Sequence, residues 1–98
     1  MVINKKLEQA KLTVAPIGRL DTTTAPELEN ERDSSLEGVK ELVLDLSELS
    51  YISSAGLRVI LKVQKKMKPI GKMKVTGANA MIMEVFEITG FTDILTIE

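Results

Sequence analysis

The chain has no cysteine, no histidine and no tryptophan, and its aromatic residues are limited to Tyr51, Phe86 and Phe91. Zinc, blue-copper, haem and iron–sulfur sites lean on thiolate or imidazole ligands, so most transition-metal chemistry is excluded. The same absence removes Ser-His-Asp and Cys-His arrangements, in which an imidazole takes the nucleophile's proton. No disulfide can form, which agrees with an expected reducing, cytoplasmic setting. Long apolar runs are missing too. The longest charge-free stretches, 49–57 and 75–83, have nine residues each, whereas a membrane-spanning helix needs about 20. Membrane insertion is therefore not expected. Lys5, Lys6 and Glu8 fall where a signal peptide would carry its apolar core, so secretion is not expected either.

What is present fits one domain, 1–98, with a modest core. The net charge of −1 conceals an uneven distribution: 21–48 holds nine acids against Arg32 and Lys40, while 58–74 holds seven bases and no acid. A basic stretch raises the question of nucleic acid. With a sequence pI near 5.5 and no aromatics interleaved among the bases, direct nucleic-acid binding is not expected.

Hydrophobic patterning gives the organisation. Segments 2–7 and 11–17 read as a β-hairpin, the second alternating Leu12 and Val14 with Thr13 and Ala15. Pro16 cannot donate to a ladder, which places the end of that strand at an edge or a bulge. Thr24 and Glu27 have capping-box spacing, and Pro26 suits a first helical turn, so a helix is expected over 25–36. The run Leu42-Val43-Leu44 marks a buried strand within 39–46, followed by a turn-rich connector over 45–52. A second helix begins after Ser53-Ser54, with Leu57, Ile60, Leu61 and Val59, Val63, Met67 on adjoining apolar stripes and lysines outside. Pro69 and Gly71 end it. A strand over 72–76, a third helix over 80–88 capped by Asn79 and stopped by Gly90, and a last strand over 93–97 complete the pattern. This order implies an α/β fold: a mainly parallel mixed sheet of about five strands, an N-terminal hairpin and three crossover helices.

In such a sheet, the loops at the carboxyl ends of strands carry function. Three qualify: 18–24, 46–56 and 76–79. The middle one places Ser53 and Ser54 at the start of a basic helix, beside Gly56, where another backbone could approach closely. Two readings stand. Serine is among the best helix caps, so these hydroxyls have a structural use. A helix N-terminus also favours the roughly −1.5 to −2 charge of a phosphoserine, which makes the position suited to a phosphorylation switch. A serine nucleophile lacks a base here, no phosphate-binding loop motif follows a strand, and Asp21 and Asp45 have ordinary turn roles. No catalytic residue is assigned.

Gly18-Arg19-Leu20-Asp21, Leu44-Asp45-Leu46-Ser47, Tyr51-Ile52-Ser53-Ser54-Ala55-Gly56-Leu57, and Val85-Phe86 with Gly90-Phe91 stand in order across the chain. Together they resemble a STAS domain, more narrowly the bacterial anti-sigma factor antagonists. The resemblance implies a non-enzymatic protein without cofactor or metal. In that family, the unphosphorylated antagonist binds an anti-sigma factor that is also a serine kinase, freeing a sigma factor for transcription. Phosphorylation ends the complex and a serine phosphatase restores it; the ATP belongs to the kinase. Carried over by position, Ser54 is the phosphoacceptor, with Ser53 the lesser candidate. Asp21, Thr22, Ser53, Ser54, Gly56 and Arg58 form the expected partner-binding set. Ser53 departs from the aspartate of many members, and Arg58 from the glycine of some. A non-switching interaction module of a transporter or sensory complex is the alternative.

Overall fold

A computed structural model describes residues 2–35 and 38–98. Its elements are β1 (Val2–Glu8), β2 (Lys11–Leu20), α1 (Ala25–Ser35), β3 (Glu41–Asp45), β4 (Leu49–Ile52), α2 (Ser54–Met67), β5 (Lys72–Thr76) and α3 (Ala80–Thr89), followed by a 3₁₀ turn at Phe91–Asp93. β1 and β2 form the antiparallel hairpin, with Gln9 in the left-handed backbone region at its tip (φ 55°). β2, β3 and β5 then pair in parallel, giving the order β1-β2-β3-β5, and β4 joins β2 separately. The α/β class and the five-stranded mixed sheet with three helices are as the sequence implies.

β2 is the spine of the arrangement. Residues Lys11 to Val14 pair with β3, and Gly18 to Leu20 pair with β4 across a register shift between Gly18 and Arg19. Pro16 lies in the gap between these two parallel partners, so its missing N–H forfeits no rung to either of them. Its strand is central, not an edge. Pro16 itself is fully buried opposite Ile3.

The core combines Leu12, Val14, Leu42, Leu44, Met73 and Val75 from the sheet with Leu57, Ile60, Val63 and Met67 from α2. Each of these large side chains contributes about 1.5–3 kcal/mol when fully buried. The opposite face of α2 leaves Arg58, Lys62, Lys65, Lys66 and Lys68 exposed, and Lys65 and Lys66 in the last turn complement the helix dipole. α3 starts as expected, with the Asn79 side chain accepting from Ile82 N at 2.9 Å, and ends at Gly90 in a left-handed conformation (φ 79°) that glycine adopts without strain.

Three sequence expectations are corrected. The connector expected over 45–52 contains a strand: Leu49 and Ile52 are buried while Ser50 is exposed, a four-residue piece short of a clear alternation. The last strand expected over 93–97 is absent. The N–H groups of Ile94 and Leu95 turn back to Phe91 O (3.0 and 2.8 Å), and the only pairing left is an isolated bridge between Val75 and Ile97. Thr24 does not cap α1 as a capping box requires; its hydroxyl points back, accepting from Asp21 N at 2.9 Å and donating to Arg19 O at 2.6 Å. The expected end of that helix at Leu36 lies outside the described residues.

Candidate functional site at the start of the second helix

β2 and β4 run parallel, so their last residues deliver two loops to the same end of the sheet. Ser53 N donates to Leu20 O at 2.9 Å, which ties the start of α2 directly to the end of β2. Gly56 completes the junction. A Cβ there would lie 2.8 Å from Leu20 Cγ, 2.9 Å from Ile52 Cγ1 and 2.9 Å from Leu20 O. Only a residue without a side chain lets the first turn of α2 sit this close to β2. Gly56 is buried, so the backbone it admits is the chain's own; it shapes the site from beneath and offers no surface to a partner.

The two serines differ in role. Ser53 is the N-cap: its backbone is extended (φ −102°, ψ 176°) and its side chain accepts from Gly56 N at 3.4 Å. Ser54 is the first helical residue, is exposed, and its hydroxyl has no hydrogen-bond partner among the described residues. Capping therefore belongs to Ser53 and leaves Ser54 free. The first intrahelical bond runs from Leu57 N to Ser53 O, and the N–H groups ahead of it favour negative charge. No acidic side chain occupies this first turn.

The neighbouring loop is built around Asp21. Its Oδ1 accepts from Thr23 N at 3.0 Å and Thr24 N at 3.2 Å. The Thr24 backbone N–H is the main reason the Asp21 carboxyl is held below its usual pKa, with smaller help from Thr23 N–H, the Thr24 hydroxyl and Arg19, against some desolvation. Arg19 stands between two partners: its Nε is 3.6 Å from Asp21 Oδ2, and its guanidinium carbon is 4.2 Å from the centroid of the Tyr51 ring. Arg19 and Tyr51 are cross-strand partners of β2 and β4.

Thr22 and Arg58 line a groove between α1 and α2 of about 180 Å³, together with Ala25, Pro26, Glu29, Ala55, Val59 and Lys62. Lys62 Nζ crosses it to Glu29 Oε1 at 3.3 Å. Asp21, Ser53 and Ser54 stand on the loops and the helix start that lead into this groove. A larger depression of about 480 Å³ lies at the far end of α2, around Met67, Lys72 and Thr96, and none of the expected site residues borders it. Arg19 and Tyr51 are members of the site that sequence reasoning passed over as ligand-facing groups. Their signal, an Arg-X-Asp spacing and the single tyrosine, gains meaning only once β4 is known to pair with β2.

The fold and this helix start define a small mixed α/β module with an exposed serine hydroxyl at the carboxyl end of its parallel strands. Residues 2–98 match the family model of the STAS domain, and the chain belongs to that family. It is 39% identical over 82 residues to BtrV of Bordetella bronchiseptica, covering 82% of this chain and 71% of that protein. It is 30% identical over 98 residues to the anti-sigma-B factor antagonist of Listeria monocytogenes, covering 96% of this chain and 84% of the relative. Among solved structures, an anti-sigma factor antagonist from Mycobacterium paratuberculosis superposes with a TM-score of 0.90 at 21% identity, over 98% of this chain and 83% of that one. The Bacillus cell fate determinant SpoIIAA in its phosphorylated form superposes at 0.77 and 13% identity, over 99% and 91%. Among the described residues, no helix is long and apolar enough to cross a membrane.

Proposed function

We propose that this protein is an anti-sigma factor antagonist working by partner switching, without catalysis of its own. Its unphosphorylated form binds an anti-sigma factor that is also a serine kinase, and so frees a sigma factor. The kinase transfers the γ-phosphoryl group of its ATP to Ser54 Oγ, which loses its proton as ADP leaves. The complex then ends, and a serine phosphatase reverses the change. The observation that carries this reading is the division of labour at the helix start: Ser53 caps α2 while the Ser54 hydroxyl is exposed and uncommitted. Modification there adds charge without removing a structural hydrogen bond. The names of the relatives and the existence of a phosphorylated SpoIIAA structure support the same role. Asp21, Thr22, Ser53 and Arg58 are the residues proposed to meet the partner around Ser54.

The test is incubation with the cognate kinase and ATP, followed by mass spectrometry of the 51–58 region, with Ser54→Ala and Ser54→Asp compared for binding. Phosphate on Ser54, persistent binding by Ser54→Ala and weak binding by Ser54→Asp are expected. Absence of phosphate on both serines, or wild-type affinity in Ser54→Asp, refutes the switch and leaves a constitutive interaction module.

A further inference from the structure

We propose that Arg58 is the internal counter-ion of a Ser54 phosphate, capturing it in cis on the surface of α2; this rests on Ser54 being the modified residue. Ser54 and Arg58 stand four residues apart on a 14-residue helix, a spacing that brings Cβ atoms to about 5–6 Å on one face. Both are exposed, and Arg58 has no ion-pair partner among the described residues. The other cation of the groove, Lys62, is already engaged by Glu29 at 3.3 Å. The first turn of α2 holds no carboxylate to compete for the guanidinium.

The chemistry of the two groups matches. A phosphoserine is close to a dianion at neutral pH, and a guanidinium presents parallel N–H donors that two phosphate oxygens can accept from together. The anion stands toward the helix N-terminus and the cation one turn later, the order the dipole favours. Arg58 also lines the α1–α2 groove with Thr22, Pro26 and Glu29. Phosphorylation thus changes the surface twice: an anion appears at the helix start, and a cation is withdrawn from the groove beside it. A partner that places a carboxylate against Arg58 loses that contact as it meets the new charge.

The experiment incorporates phosphoserine at position 54 during translation and follows its second ionisation by ³¹P NMR in wild type and in Arg58→Gln. The wild-type phosphate is expected to titrate lower by about 0.15–0.4 pH units, with Arg58→Lys in between, and the Arg58 Nε–Hε resonance is expected to move when the phosphate is present. That resonance is read in the wild-type chain, so the outcome does not hang on the folding of a variant. Equal titration in wild type and Arg58→Gln, with an unmoved Arg58 resonance, overturns the proposal. Because the phosphate is installed without a kinase, a chain that its kinase ignores refutes the partner switch and leaves this measurement standing.

Discussion

Replacing Gly56 by alanine pits two well-defined effects against each other. Alanine is the better helix former by up to about 1 kcal/mol, so propensity alone makes the variant more stable. The structure opposes that gain. The added methyl meets Leu20 Cγ at 2.8 Å, Ile52 Cγ1 at 2.9 Å and Leu20 O at 2.9 Å, where carbon atoms in contact prefer about 3.5–4.0 Å. Leu20 and Ile52 are 0% and 4% exposed, so neither side chain has open space to retreat into. The carbonyl is held by Ser53 N at 2.9 Å. Over-packing costs about 1–3 kcal/mol. Three contacts under 3.0 Å, one of them to a backbone oxygen, put this case at about 2–3 kcal/mol, so the net expectation is a loss of about 1–2 kcal/mol. For a domain of this size that lowers Tm by about 4–16 °C. Urea denaturation should show an earlier midpoint with an unchanged slope, and the Ser53 amide should lose hydrogen-exchange protection as the Leu20 carbonyl is pushed away. A Gly56→Ala protein as stable as wild type, or more stable, refutes the close-approach account.

The two serines should separate in stability measurements. Ser53→Ala removes the cap and, given its long 3.4 Å bond, should cost about 0.5–1 kcal/mol, whereas Ser54→Ala should stay within about 0.5 kcal/mol of wild type; the reverse order in urea melts contradicts the assignment. Asp21 ionises more readily in the folded chain than in the unfolded one, since backbone N–H donors hold its carboxylate. Its contribution to stability is therefore complete above the unfolded-state pKa and is lost as pH falls through the lower folded-state value. A carboxyl NMR titration should place Asp21 below the ordinary aspartate range, and a midpoint at or above that range shows that the Thr23 and Thr24 amides do not bind it in solution.

Much of this fold is written in local patterns. The hairpin, the buried Leu42-Val43-Leu44 strand, the amphipathic second helix and the Asn79 to Gly90 helix all carry their own periodicity and stop signals. The fourth strand does not. Leu-Ser-Tyr-Ile is four residues long and follows a turn at Asp45, whose Oδ1 accepts from Ser47 N at 3.0 Å; its identity as a strand comes from Gly18 to Leu20 alongside it. The C-terminal segment fails in the opposite way. Its β-prone apolar residues Ile94, Leu95 and Ile97 read as a strand, but the turn begun at Gly90 takes up the backbone donors of Ile94 and Leu95.

The candidate site divides along the same line. Ser54 stands out by residue type and by its position at a strand-to-helix transition, whereas Asp21 reads locally as a turn residue and enters the expected site only through the family resemblance. Which serine caps the helix depends on a dihedral angle, and the inward turn of Gly56 depends on a strand about 36 residues earlier in the chain. The clamp of Arg19 between Asp21 and Tyr51 is a product of pairing between segments that no local pattern joins.

The junction at the Leu20 carbonyl has a consequence for transplantation. Loop grafting assumes that a recognition segment can be lifted out and set on another scaffold if its ends are matched. Here the serine-bearing turn is fitted to a strand end it does not follow in sequence, through one backbone hydrogen bond and one side-chain-free contact. A graft of 51–58 alone would arrive without the surface that shaped it. The smallest portable unit is the end of β2, β4 and the first turns of α2 carried together.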